Sequence, residues 1–423
     1  MAELGPSPLA TGAELPVATA RAAIAAALQP LTEAVRCPLA QALGRVLAAD
    51  VISPIDVPAH DNSAMDGYAL HGADLRADAD TTLQALPTTV FAGPPFDGVV
   101  GRGQAVRIMT GAVMPAGLDS VVPFELCTVS GDRVTLRPGV LKAGENRRRR
   151  GEDLARDGVA LPGGRVLRPA DLGLAASLGL DHVQVLRPLR VALFSTGDEI
   201  AAPGTPLAPG QVYDSNRFSL LGALQRIGVE VIDLGLVPDD RTALAAALDR
   251  ALAEADAVVT SGGVSMGDAD HTRELLAARG EVGFWKVAMR PGRPFAFGRL
   301  RGPGGRSAWL FALPGNPVAA LVTFYALARD ALLVLAGARA PAPPRLQARS
   351  VAPIRKRPGR SEFQRAVVEP AADGGWQVRT TGSQGAGVLR SMTEANALLV
   401  LGHDQGPVAA GDLVEVWLFD GLV

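Results

Sequence analysis

From residue 188 onward the apolar positions fall into two alternating patterns. Runs of strand length, Leu189–Phe194, Val229–Leu234, Val258–Thr260 and Trp309–Leu313, are apolar and rich in β-branched or aromatic residues. Helical stretches lie between them: one capped by Asp214-Ser215-Asn216 and running to Ile227, then Arg241–Glu254, then His271–Arg279. A last helix, from Pro317 to about Ala336, is apolar on nearly every side and is expected to be buried. Four strands alternating with helices predict a parallel sheet covered on both faces. Ligands of such sheets bind beyond the C-terminal ends of the strands.

Each of those ends is polar or glycine-rich. They read Ser195-Thr196-Gly197-Asp198-Glu199, Pro238-Asp239-Asp240, Ser261-Gly262-Gly263-Val264-Ser265 and Leu313-Pro314-Gly315-Asn316-Pro317. Asp268 and Asp270 follow the third. Glycine lets an anion approach the backbone, where free N–H groups and a helix dipole point at it. Carboxylates beside such a site make sense when a hard cation such as Mg²⁺ bridges them to phosphate. Lys286, Arg290 and Arg293 add positive charge between two of these ends. The combination suits a metal-assisted phosphate reaction.

The rest of the chain has other periods. Leu15–Leu28 and Leu39–Ala49 read as helices, and the prolines of Val51–Pro58 hold it extended. Short strands between Gly and Pro fill residues 70–140 (Val90–Phe91, Ala105–Ile108, Ser120–Pro123, Arg133–Leu136), as in a small β domain. Residues 170–187 return to a helix and a strand. The APAPP stretch at 340–344 is a stiff linker. The strands after it, Arg345–Ala352, Glu362–Glu369, Trp376–Thr381, Ala397–Leu401 and Leu413–Leu418, predict a small barrel. The expected division is multidomain α+β. Residues 1–55 with 150–187 form a discontinuous helical domain, 56–149 a small β domain, 188–339 an α/β domain and 345–423 a C-terminal β-barrel.

Composition narrows the function. A net charge of −2 over 423 residues argues against a general nucleic-acid or membrane-surface binder. Cys37 and Cys127 have neither disulfide nor zinc spacing. The N-terminus lacks a secretory pattern, and no apolar run is expected to span a membrane, since the longest candidate carries Arg329 and Asp330. A cytoplasmic location follows. Of 41 basic residues only Lys142, Lys286 and Lys356 are lysine, so each lysine marks a place where a compact ammonium is wanted.

Four further stretches carry polar chemistry, each with an ordinary alternative. His60–Ala69 presents Asp66 to a ligand or is a capped surface turn. Thr110 is a ligand contact or a turn residue. Arg147–Arg150, followed by Gly151-Glu152-Asp153, holds an anion or is a solvated face. Arg365 and the loop Thr381–Ala386 face the site or support the barrel.

In order and spacing, DNSAMDGYA, RIMTGA, NRRRRGED, FSTGDE, SGGVSMGD, FWKVAMRPGRPFAF and LPGNP resemble the molybdopterin molybdotransferases, the family of MoeA and gephyrin. The resemblance implies an elongated homodimer of four-domain subunits, acting with Mg²⁺ on molybdate and adenylylated molybdopterin and releasing AMP. It implies that Asp66 and Thr110 act across the dimer, on the other subunit's cleft, and that Asp153 is the catalytic acid of the GED motif. Glu199, Asp239 and Asp270 become the expected Mg²⁺ and adenylate contacts, with Lys286, Arg290, Arg365 and the Leu313–Pro317 turn near the molybdate. Substrate contacts are expected from Thr196, Gly197, Asp198, Asp214, Asn216, Ser261, Gly262, Gly263, Ser265 and Asp268, and from Pro314, Gly315, Asn316, Pro317, Arg365 and Ala386. Partners implied are a molybdopterin adenylyltransferase and recipient molybdoenzymes or their chaperones. Two departures stand out: Arg290 and Arg293 replace lysines, and Ala386 stands where a serine hydroxyl is expected. Rival readings on the same fold are a molybdopterin adenylyltransferase and a non-catalytic scaffold.

Overall fold

The computed structural model describes residues 14–263, 271–339 and 345–422. At its centre is a six-stranded sheet in the order Glu230–Val237, Arg190–Thr196, Ala257–Ser261, Ser307–Leu313, Pro294–Arg301, Gly280–Lys286. The first four strands are parallel, as expected. The last two pairings are antiparallel, so Pro294–Arg301 alone runs against the other five strands and the sheet is mixed rather than parallel. The last two strands escape the apolar pattern because Gly280, Gly283 and Gly298 interrupt them. Gly280 and Gly298 let the neighbouring strand pass too close for a side chain, a Cβ at either lying 2.1 Å from a carbonyl oxygen across the pair, while Gly283 makes room for the Trp285 indole of its own strand.

Alternation along the strands supplies two cores. Val191, Leu193 and Val259 pack with helices Val17–Ala27, Ser215–Arg226 and the Pro317–Leu335 helix. Ala192, Phe194 and Val258 pack with helices Arg241–Glu254 and His271–Ala278. Helix Val17–Ala27, grouped above with residues 1–55 and 150–187, therefore contributes to the core of the α/β unit. The Pro317–Leu335 helix is 19 residues long and is, by length and composition, the one described helix able to cross a membrane. That corrects the expectation that no apolar run is long enough. Its 83% burial marks it as a core element, and Arg329 pairs with Asp330.

Leu39–Ala49 is not a helix. Only Leu39–Gln41 makes a single 3₁₀ turn, Gly44 takes φ +74°, and Val46 and Leu47 extend to bridge Val166 and Val185. Ala34–Pro38 pairs with His182–Leu186, and Val51–Ile52 with Val159–Leu161, so both segments of this part fold together.

The small domain is a six-stranded sheet that includes Gly67–Leu70, Gln104–Ile108 and Ser120–Pro123. The C-terminal strands close into a five-stranded barrel: Ser361–Pro370 pairs with both Trp376–Thr380 and Ala397–Leu401, and the circuit continues through Leu413–Leu418 and Arg345–Ser350. Barrel residues Phe363, Leu398 and Trp417 share a core with the α/β unit. Met289–Arg290 adds to the barrel beside Ser361–Glu362, so the barrel and the sheet edge meet at one cleft.

Candidate active-site cleft

The strand ends open into a cavity of about 1530 Å³. Its floor is backbone. Gly262 takes φ +91°, and a Cβ there would lie 2.3 Å from the Thr196 carbonyl oxygen. Any side chain would therefore push two strand ends apart. Asn216 bolts the floor together: its Nδ2 donates to Ser261 Oγ (2.7 Å) and to the Gly315 carbonyl (2.6 Å). Asp214, buried, accepts from the Arg217 backbone N–H (3.2 Å) and from its Nε (2.9 Å). It is a helix cap and an ion-pair partner at the edge of the cavity.

Glu199 and Asp239 line this cavity. They follow neighbouring strands, Arg190–Thr196 and Glu230–Val237. Lys286, Arg290 and Arg293 line the same cavity and supply positive charge. Pro314, Gly315, Asn316, Pro317, Thr196, Gly197 and Gly263 also line it. Asp198 is exposed and is not among the lining residues. Asp240 is spent on capping helix Arg241–Glu254, accepting from the Thr242 and Ala243 N–H groups, both at 2.9 Å. Ser265, Asp268 and Asp270 lie outside the described residues. Among the described residues no group of three or more His, Cys, Asp or Glu side chains is arranged around a metal position.

The barrel contributes the fourth wall, Gln384–Gly387. Arg365 does not face the cavity, contrary to the expectation of an oxyanion contact. It is wholly buried, donating from Nε to Ser391 Oγ (3.0 Å) and from Nη2 to the carbonyls of Ser383 (3.3 Å) and Gly385 (3.1 Å). Burial, and then the charge of Arg290, lower its pKa to about 10. Gln384 holds the same loop from the other side, accepting from the Arg365 N–H (2.8 Å) and donating to the Thr381 carbonyl (2.5 Å). The Ala386 carbonyl accepts from the Val318 N–H (3.0 Å). That bond, with Pro317 lacking an N–H, uses up part of the helix N-terminus expected to bind an anion. A trans peptide directs N–H opposite to the preceding C=O. With the Ser383, Gly385 and Ala386 carbonyls turned to protein donors, the N–H groups of Gln384, Ala386 and Gly387 face away from those donors. None has a hydrogen-bond partner among the described residues. The pattern of the sequence carries no sign of this amide wall, because it depends on a buried arginine.

Gly292 is another residue the pattern does not single out. A Cβ there would meet Thr323 Oγ1 at 2.2 Å, so only glycine lets the cation-bearing loop lie on the buried helix.

Asp66, Thr110 and Asp153 are not in this cleft. Their motifs fold together in the small domain: Ser63 N–H donates to the Ala112 carbonyl (2.9 Å), Ala64 N–H to Asn146 (2.9 Å) and Gly111 N–H to Ser63 (2.8 Å). Asp66 accepts from the Thr110 N–H and hydroxyl, both at 2.7 Å. Those two donors, the N–H first, hold its carboxyl below the usual carboxylate range. Two of the four arginines pair locally, Arg147 with Asp61 and Arg150 with Asp56. Asp153 is exposed, with no side-chain bond among the described residues.

Comparison with known proteins gives a consistent picture along the chain. Residues 15–179 match the MoeA N-terminal region (domain I and II), 192–333 a probable molybdopterin binding domain, and 347–419 the MoeA C-terminal region (domain IV). The chain is 42% identical to a molybdopterin molybdenumtransferase of Haemophilus influenzae, over 91% of this chain and 94% of that one. It is 38% identical to molybdopterin molybdenumtransferase 2 of Mycobacterium tuberculosis, over 92% and 95% respectively. A crystal structure of a molybdopterin biosynthesis moeA protein from Pyrococcus horikoshii OT3 superposes with a TM-score of 0.80 at 27% identity, covering 96% of this chain and 100% of that one.

Proposed function

The chain belongs to the MoeA family, and from that premise we propose how its cleft works. It is a transferase that inserts molybdenum into molybdopterin. On our reading the molybdopterin enters as its adenylate, molybdate is the metal source and AMP leaves. The observation that carries this is a single cavity lined by strand-end glycines, three cations, the carboxylates of Glu199 and Asp239, and the barrel loop Gln384–Gly387, where the Gln384, Ala386 and Gly387 amides have no partner among the described residues.

Each part has a task. Gly262, Gly263 and Gly315 let the phosphate side of the nucleotide approach the backbone. Lys286 and Arg290, with the amides of Gln384, Ala386 and Gly387, suit a tetrahedral dianion. Holding it next to the dithiolene is catalysis by placement and charge complementarity. These amides also supply donors where Ala386 lacks a hydroxyl. Arg365 keeps the loop in shape from beneath. The donor set fits Mg²⁺, since Glu199 and Asp239 offer hard carboxylate oxygens at adjacent strand ends. Mg²⁺ held there would draw charge from the phosphoanhydride.

The protein is proposed to act as a homodimer in the cytoplasm. A molybdopterin adenylyltransferase would supply the substrate, and molybdoenzymes or their chaperones would receive the product. The test is AMP release from adenylylated molybdopterin with Mg²⁺, with and without molybdate. Release is expected to need molybdate, and Glu199→Gln or Asp239→Asn is expected to slow it by at least about 100-fold with folding retained. Release that ignores molybdate, or survives both substitutions, would overturn the reading.

A further inference from the structure

Residues 14 and 15 run beside the segment that carries the cleft cations. The Leu15 N–H donates to the Lys286 carbonyl (2.7 Å), and the Ala288 N–H donates to the Leu15 carbonyl (2.8 Å). Together they make a parallel bridge between Leu15 and Val287. The loop they border is closed by the Val287 N–H on the Arg293 carbonyl (2.7 Å). Leu15 packs against the main core, and Pro16 caps helix Val17–Ala27, so this short segment has a fixed course. That course brings the Glu14 carboxylate onto the Arg293 guanidinium as an ion pair. Arg293 lines the cleft with Lys286 and Arg290.

We propose that Glu14 is a built-in counter-ion of Arg293, displaced when a tetrahedral oxyanion enters. It thereby sets how tightly the cleft holds that anion. The inference rests on the cleft being the molybdate site. Three cations lining one cleft repel one another, and a carboxylate on one of them relieves this. The same carboxylate opposes the entering dianion. The Arg293 side chain is 59% exposed and that of Glu14 33%, so solvent screens the pair and exchanging one partner for the other costs little. Glu14 therefore keeps the oxyanion releasable toward the dithiolene instead of trapped on arginine.

The experiment is calorimetric titration of sodium molybdate into the full chain. Glu14→Gln is expected to bind molybdate about two- to five-fold more tightly, the scale of a part-exposed ion pair. In an Arg293→Gln background the same change is expected to do nothing. Equal or weaker binding by Glu14→Gln overturns the inference alone. So does a gain that persists without the arginine, since that would be a long-range charge effect. If the unaltered chain binds no molybdate, the site reading fails and takes the inference with it. Circular dichroism of each variant checks that the fold is kept.

Discussion

The α/β cleft and the Asp66 patch of the small domain are built on opposite plans. The cleft is a volume made mostly of backbone: glycines at strand ends, amides of a barrel loop, and buried side chains such as Asn216 and Arg365 that hold them. The patch is a set of exposed side chains on loops, with Asp66 tied to Thr110 and Asp153 standing without a partner among the described residues. One has shape, cations and the carboxylates of Glu199 and Asp239. The other has carboxylates and does not line that volume. The patch stands apart from that volume; in the proposed homodimer it would meet a second subunit's cleft.

Mixing variants breaks or sharpens this most sharply. Asp66→Asn and Asp239→Asn are each expected to be inactive. If the patch of one subunit completes the cleft of the other, subunits exchanged at a 1:1 ratio form mixed dimers in half the population. Each mixed dimer has one intact site, so about a quarter of the original AMP release should return. No recovery after verified subunit exchange would mean that the two regions do not act as one site.

Within the cleft the largest expected single effect is Gly262→Ala. The new methyl group meets the Thr196 carbonyl, and the φ of +91° is unfavourable for alanine. A loss of roughly 1–3 kcal/mol in unfolding free energy is expected from the strained backbone alone, with turnover reduced much more than stability. Denaturant unfolding and AMP release on the same sample check both. An equal change at Gly387, an exposed position with no atom near its missing Cβ, should leave stability nearly untouched. Comparable losses at both positions would show that the floor is not specially constrained.

Where sequence and structure agree, local rules decide the outcome. Arg241–Glu254 is helical at those residues, and Ala397–Leu401 and Leu413–Leu418 are strands as their apolar runs require. The strand-end glycines and carboxylates were legible because the sheet rule says where ligands go. The antiparallel pair Gly280–Lys286 and Pro294–Arg301 was not, since Gly280 and Gly298 answer to a neighbouring strand rather than to a local period. Nor was the direction of Arg365. A charged residue in a strand has two faces to choose from, and only the packed barrel decides that this one turns inward onto carbonyls. Leu39–Ala49 misled for the same reason: helical composition lost to pairing of Val46 and Leu47 with distant segments.

The smallest expected effect tests the patch itself. Thr110→Val removes the hydroxyl donor to Asp66 while the Thr110 N–H donor, the larger cause of its lowered pKa, stays. The Asp66 carboxyl should therefore titrate at a higher pH than before, yet still below an unperturbed aspartate. Because the native pKa lies below the unfolded value of about 3.9, the bond stabilises the fold above that pH. Its contribution is lost as the pH falls through the native pKa. The stability gap between the original chain and Thr110→Val should accordingly be constant near neutral pH and narrow on acidification below about pH 4. Urea unfolding across that range measures it. A gap that ignores pH would assign the loss to packing of the threonine side chain, and Asp66 would then owe its ionised state to the backbone alone.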